Sequence, residues 1–353
     1  MRKIDNLTSS ALSDVVQEFG EPSFRGKQIY SWLFKAGVSS FDEMTNLSKD
    51  FRRVLAENFS FTVLEEVKRT VSSDGSVKFL FRLEDGETVE SVLLRDGDRI
   101  SGCISTQAGC RMGCRFCATA GAVGFKRNLT AAEIIRQIMY LRMAAYDLFD
   151  QRLGNLVFMG MGEPLDNIVN LKNALSVILD DEALGFSHRK VTVSTCGLIK
   201  GIKELFKMPT PVNLAVSVNA PSQEVRAQIM PISKKYPLTE LINTLKTIEL
   251  DKRKRITLEY VLLGGVNDSL GDAARFAKLI KGIPAKVNLI IYNSSKYSSF
   301  KTPDEHKVLK FQEYLVNNNI SAFIRKRLGA DIDGACGQLA AGYKGIKGDK
   351  NVK

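Results

Sequence analysis

Within "CRMGCRFCAT", residues 110–119, three cysteines fall close together: Cys110, Cys114 and Cys117, spaced C-x₃-C-x₂-C. Thiolates this near one another on one loop are suited to holding a single inorganic centre. A structural zinc site wants four protein ligands, commonly two C-x₂-C halves or Cys/His pairs. This loop supplies three, and the only histidines, His188 and His306, are not paired with a nearby cysteine. A cubane [4Fe–4S] cluster has a different requirement: with three thiolates bound, one of its four irons stays open to a non-protein ligand. The spacing therefore points to a redox centre ahead of a zinc staple.

Such a loop needs elements to hold it. From about residue 100, short β-type runs alternate with amphipathic helices. The runs are "NLVFMGM" (155–161), "KVTVSTC" (190–196), "VNLAVSVN" (212–219), "ITLEYVLL" (256–263), "KVNLIIYN" (286–293) and "SAFIRKR" (321–327). Strand–helix alternation predicts an α/β fold with a parallel sheet, either open and doubly wound or part of a (β/α) barrel. Sites in such folds sit at the carboxyl ends of the strands. Those ends carry "GMGEP", "STCG", "SVNAP", "GGVND" and "YNSS", which are polar and glycine-rich.

Upstream, residues 1–57 read as helical. "SSALSDVVQEFG" offers serine caps before an amphipathic run, and "RGKQIYSWLFKAG" sets Ile29, Trp32 and Leu33 on one face before Gly37, with Trp32 expected in the core. "FDEMTNLSKDFRRVLAENF" predicts one more helix, and residues 76–95 predict a hairpin about Asp85-Gly86. There is no internal repeat, and the only biased segment is the Lys/Gly-rich end. The 353 residues and 44% apolar content can bury a sizeable core. No membrane-span-length apolar run and no signal-peptide pattern is present, so a soluble cytoplasmic protein is expected, with its six cysteines outside any disulfide framework. The formal charge of +11 is concentrated at 251–255, 323–327 and the C-terminus. Each run alone reads as a solvated face, but beside a redox loop the excess favours nucleic acid as partner.

With Phe116 just before the last cysteine, the loop matches the fingerprint of radical S-adenosylmethionine (SAM) enzymes. The chain resembles the RlmN/Cfr family of radical SAM RNA adenine methyltransferases. The resemblance runs from "EPSFRGKQIYSWLF" (21–34) through "VESVLL" (89–94), "CISTQAGCRMGCRFCATA" (103–120), "KRNLTAAEI" (126–134), "FMGMGEPLDN" (158–167), "VTVSTCG" (191–197), "APSQEVRAQIMPISKKYPL" (220–238) and "LEYVLLGGVND" (258–268) to "RLGADIDGACGQL" (327–339). It implies a partial (β/α)6 TIM-like radical SAM barrel at 96–340. Before it would come an N-terminal helical RNA-binding domain at 1–57 and a β-hairpin connector at 58–95, and after it a basic tail at 341–353.

The resemblance also implies roles. Cys110, Cys114 and Cys117 would hold the [4Fe–4S] cluster, and Gly162, Glu163, Ser194, Ser217, Val218, Asn219 and Asn293 would contact SAM. Cys336 would be the methyl carrier, with two SAM molecules used per turnover. One SAM methylates its thiolate, and the other gives the radical that activates the S-methyl group for addition to adenine. Cys103 would resolve the resulting RNA–protein adduct by forming a transient disulfide with Cys336, and Glu90 would accept the proton from the ring carbon. Read from its strand alone, Glu90 is a solvated side chain, and Cys196 a structural thiol. The acidic pair Asp331 and Asp333 would position the Cys336 loop.

The implied substrates are an adenosine in the peptidyl-transferase centre of 23S rRNA and the adenosine beside the anticodon of tRNA. Carbon 2 is the expected target, since "GEPLDN" and "RLGADIDGACGQLA" look closer to the RlmN branch, with carbon 8 as the alternative. A reducing donor such as flavodoxin and a monomeric state are expected. A radical SAM enzyme acting on a small molecule or peptide would have no need of Cys336, and a non-catalytic RNA-binding protein stapled by a metal is the remaining reading.

Overall fold

The computed structural model describes residues 1–251, 254–294 and 298–339. The basic tail at 341–353 and part of the 251–255 run lie outside them. One ten-stranded sheet organises the chain: β1 (Glu65–Val71), β2 (Val77–Arg82), β3 (Thr88–Asp96), β4 (Arg99–Cys103), β5 (Leu153–Phe158), β6 (Val191–Thr195), β7 (Asn213–Ser217), β8 (Ile256–Leu262), β9 (Ala285–Ile291) and β10 (Ala322–Ile324). Their spatial order is their sequence order. Strands β1 to β4 pair antiparallel, and β4 to β10 pair parallel.

A parallel sheet whose order never reverses curls into a barrel wall rather than a doubly wound open sheet, which settles the alternative left by the strand–helix alternation. The crossovers are α4 (Ala131–Phe149), α5 (Ile168–Leu179), α6 (Ile199–Phe206), α7 (Gln223–Ile229) with α8 (Leu238–Lys246), α9 (Leu270–Ile280) and α10 (Glu305–Asn317). Six β/α units thus precede β10, as a partial (β/α)6 barrel requires. The strands are buried on both faces, so β8 reads "ITLEYVL", with most of its residues shielded. Helix α4 starts at a Thr130–Glu133 capping box, and Arg127 clamps the Glu133 carboxylate with two bonds of 2.8 Å.

The N-terminal helices α1 (Ser9–Glu18), α2 (Phe24–Ser31) and α3 (Lys49–Asn58) share one continuous core with the barrel. Asp5 fixes the junction: it accepts from Thr62 and from Arg136 Nε of α4, the latter at 2.7 Å. Three local expectations change. The hairpin gains a third strand, β1, whose sequence "EEVKRTV" is too polar to announce an edge strand. Residues 41–58 form a short 3₁₀ turn and then α3, started by the Ser48 cap, instead of one helix. Trp32 is half-buried instead of in the core. A π-type turn at Trp32–Ala36 turns Leu33 and Phe34 inward, leaving the indole to donate to Asn46 Oδ1 at 2.6 Å.

Helices α1 and α2 touch through bare backbone. A Cβ on Gly26 would lie 2.5 Å from Ser13 Cα and 2.7 Å from the Leu12 carbonyl carbon. Gly26→Ala should therefore destabilise the protein by about 1–3 kcal/mol, the overpacking range, because backbone on both sides cannot yield. Denaturant unfolding checks this, and an unchanged midpoint would contradict the packing.

Candidate active site

The carboxyl ends of β5 to β9 open onto a cleft of about 990 Å³. Cys110, Cys114 and Cys117 line it from the loop after Gly109. Gly162, Glu163, Ser194, Ser217 and Asn219 line it from the strand ends, and Cys336 enters from the C-terminal loop. Residues more than two hundred positions apart thus share one space.

At the end of β5 the backbone is forced. Gly162 has φ +95°, and a Cβ there would sit 2.4 Å from Gln107 Cβ, so only glycine fits. Gln107 Oε1 accepts from Glu163 N at 2.9 Å. The buried Glu163 carboxylate accepts from Cys196 N at 2.7 Å and Leu165 N at 3.1 Å, tying the ends of β5 and β6 together. Burial raises its pKa, and those backbone amides oppose the rise.

Ser217 lies opposite Glu259 of β8. Asn219 takes the left-handed conformation, φ +57°, with its Oδ1 accepting from Val261 N at 2.9 Å. Asn267, from the "GGVND" segment, donates to the Asn219 carbonyl at 2.7 Å, so this strand end supports the wall instead of lining the cleft. Val218 is fully buried behind that wall. Asn293 opens on a second, narrower cavity.

Burial pushes the Cys110 thiol up to about 12 and raises Cys114 well above its ordinary value; in both, neighbouring loop thiolates add to the effect. A cationic iron–sulfur core reverses that penalty by deprotonating the thiols it binds. Among the described residues, no group of three or more His, Cys, Asp or Glu could hold a single metal ion. Three separated thiols around a cleft fit a cluster with several irons better than one zinc ion.

The second cavity holds Cys103, from the end of β4, and Cys336, with Arg325 lining both spaces. Cys336 is open to the cleft yet ringed by protein. That enclosure raises its thiol, and the Arg325 guanidinium opposes the rise. Cys103 is raised first by burial and then by a thiolate at Cys336.

The loop carrying Cys336 is tied at both ends. Asp331 accepts from Ser72 Oγ and from Ser73 N (2.9 Å), Ala118 N donates to Gly337 O at 2.6 Å, and Thr119 Oγ1 donates to Leu339 O at 2.9 Å. The Ser72 and Ser73 bonds hold the Asp331 carboxyl down at about 2, so this tether is charged at neutral pH.

Glu90 is not solvated. It is buried on β3 and ion-paired with Lys78 Nζ at 3.2 Å, and Lys78 also donates to the Asp333 carbonyl at 3.3 Å. Its partner Lys78 is thereby tied to the Cys336 loop, a link that strand alternation could not foresee. Glu90 lines neither cavity, but Ser105 Oγ binds its carbonyl and Met161 N, joining β3 to the end of β5. His188 and His306 line neither cavity.

Sequence reasoning missed Glu259 and Arg325. Glu259 is buried, with Oε1 held by Asn288 at 2.9 Å and Oε2 without a partner. Its signal was a carboxylate in mid-strand among apolar residues. Arg325 was hidden in a basic run that reads as surface.

Residues 3–60 match the family described as the ribosomal RNA large subunit methyltransferase N-terminal domain, and residues 104–277 match the radical SAM superfamily. The chain is 45% identical over 340 residues to the dual-specificity RNA methyltransferase RlmN of Anaeromyxobacter sp. strain Fw109-5, covering 95% of this chain and 90% of that protein. It is 46% identical over 341 residues to the protein of that name from Geotalea uraniireducens, covering 96% and 97%. A crystal structure of a radical SAM methyltransferase from Sphaerobacter thermophilus superposes with a TM-score of 0.90 at 36% identity, over 96% of this chain and 99% of that one.

Asp331→Ala removes the tether that draws the Cys336 loop onto the β1–β2 turn. The rate of Cys336 alkylation by iodoacetamide should rise severalfold while the unfolding midpoint moves little, as expected for a surface hydrogen-bonded group. An unchanged alkylation rate would show that the other ties suffice.

Proposed function

The chain belongs to the RlmN family of radical SAM RNA methyltransferases, and from that premise we propose that it methylates carbon 2 of adenosine in two RNAs. These are the peptidyl-transferase centre of 23S rRNA and the position beside the anticodon of tRNA. One observation carries the mechanism: Cys336 stands where the two cavities meet, with the three loop cysteines around one and Cys103 in the other.

Cys110, Cys114 and Cys117 are the residues that would hold the [4Fe–4S] cluster. The bound cluster supplies the electron that cleaves SAM and so makes a carbon radical available. Gly162 and Glu163 offer backbone acceptors for the SAM amino group, with Ser194, Ser217 and Asn219 as the further contacts from the cleft wall. Val218, buried with its carbonyl held by Arg226, backs that wall, and Asn293 approaches from the second cavity. Cys336 takes the methyl group by attacking as a thiolate, and two SAM molecules are used per turnover. Arg325 favours that thiolate. Once the carrier carbon is bonded to adenine, with the bound cluster able to take back the adduct's unpaired electron, Glu90, 3.2 Å from Lys78 Nζ, accepts the proton from the substituted ring carbon. Cys103 then attacks the Cys336 sulfur as a thiolate: an S–S bond forms as the S–C bond breaks, and the electron pair leaves with the product carbon, which takes up a proton to become the methyl group.

The target base must be unstacked to enter, as for other enzymes that work on a base. Residues 1–57, the 58–95 connector and the basic residues around the second cavity, Arg325 and Arg327 among them, hold the RNA backbone. A monomer in the cytoplasm, reduced by a donor such as flavodoxin, completes the reading. No helix among the described residues is long and apolar enough to cross a membrane.

Cys103→Ser tests the assignment. The variant should still methylate Cys336 but accumulate an RNA–protein adduct that survives denaturing electrophoresis. Release of methylated RNA at the wild-type rate would overturn the roles of both cysteines.

A further inference from the structure

Arg226 of α7 heads the fully buried side chains of this protein by volume. Its guanidinium is held by carbonyls alone: Nε donates to Val218 O at 3.1 Å, and Nη2 donates to Cys196 O at 2.6 Å and Ser217 O at 3.2 Å. Nη1 is buried without a hydrogen-bond partner, and among the described residues no carboxylate pairs with Arg226. Arginine cannot shed its proton to escape such a place. A buried, uncompensated guanidinium is costly, so the fold must set an anion against it.

Geometry places Arg226 behind the cysteine loop: Arg115 N, between Cys114 and Cys117, donates to Ile229 O at the end of α7 at 2.9 Å, and Cys196 and Ser217, whose carbonyls Arg226 holds, line the cleft with Cys114. The sulfurs of Cys196 and Cys114 are the groups whose charge acts on it. Cys196 is itself buried and held near Glu163, so its thiolate is disfavoured. Cys114 lies on the loop whose three thiolates would carry the cluster. A cubane core bound by three thiolates bears net negative charge, and one-electron reduction adds more.

We propose that Arg226 is the fixed counter-charge of the iron–sulfur site: its guanidinium offsets the charge of the thiolate-bound cluster and raises its reduction potential. This rests on the reading of Cys110, Cys114 and Cys117 as cluster ligands. The sign follows from electrostatics, since a nearby fixed cation stabilises the more negative, reduced state. The carbonyl bonds give Arg226 a second role, positioning the ends of β6 and β7, and the test must separate the two.

The experiment is an EPR-monitored redox titration of reconstituted wild type, Arg226→Lys and Arg226→Gln, with and without SAM and without RNA. Lysine keeps the charge and loses the fork, whereas glutamine loses the charge. The midpoint of Arg226→Gln should fall below that of the wild type without SAM, and Arg226→Lys should stay near the wild type. Equal falls in both variants would make the role purely structural and overturn the inference, as would a wild-type cluster whose potential is unmoved in Arg226→Gln. A difference that appears only with SAM would assign the arginine to the SAM carboxylate instead and also overturn it. Should Arg226→Gln fail to fold, Arg226→Met serves as the uncharged variant with the same expected fall, and a folded Arg226→Lys with an equally lowered potential rejects the proposal. A wild type that binds no cluster would overturn the cluster reading and this inference together.

Discussion

The 2.6 Å hydrogen bond from Ala118 N to Gly337 O joins the two segments on which the chemistry depends. One carries the three clustered cysteines and the other carries Cys336, and the chain between them makes the barrel from α4 through β10. Gly337 can present its carbonyl there because it takes φ +82° beside the Phe116 backbone, a conformation that a side chain would resist. The Thr119–Leu339 bond and the Asp331 tether hold the same loop from either side. A methyl carrier must reach a donor and an acceptor in turn, so its loop has to be fixed at a junction. These bonds fix it there.

The barrel's part is to keep the strand ends rigid under that loop. It does so with buried polar groups whose bonding is nearly complete, the condition under which such networks order a site instead of weakening it. Glu163 and Asn267 spend their polar atoms on neighbouring backbone, and Gln107 accepts from the Glu163 amide while its Nε2 donates to Asn128 Oδ1 and Asp166 Oδ2. Among the described residues, some exceptions, Arg52 Nε and Arg136 Nη2 among them, lie elsewhere, but two, Glu259 Oε2 and Tyr292 Oη, belong to residues that line the cleft, and Arg226 Nη1 is a third beside its wall. A site built for a charged, multidentate ligand would be expected to leave its unsatisfied groups there.

Much of this was legible in the sequence. The cysteine spacing, the strand–helix alternation and the polar strand ends reflect local rules of ligation and periodicity, and the parallel strands β5 to β10 overlap the runs those rules mark, whereas β4 has no such run. Less legible were features created by tertiary contact. Strand β1 is polar because it is an edge, β4 is short and contains Gly102, and Trp32 is turned outward by a widened helical turn. Glu90 is buried and ion-paired with Lys78, which a loop some 240 residues further on also holds, a link that no strand pattern records. Arg226 sits in a short amphipathic helix where an arginine normally means solvent, and its burial depends on where α7 docks.

The central claim is that Cys336 carries the methyl group. Anaerobically reconstituted protein, given SAM with a labelled methyl group and no RNA, should take label on the peptide containing Cys336. The added mass should be about 14 Da, the cost of replacing the thiol proton by methyl. Intact cluster with Cys336 unmodified would contradict the account, leaving the junction between the two cavities without a purpose.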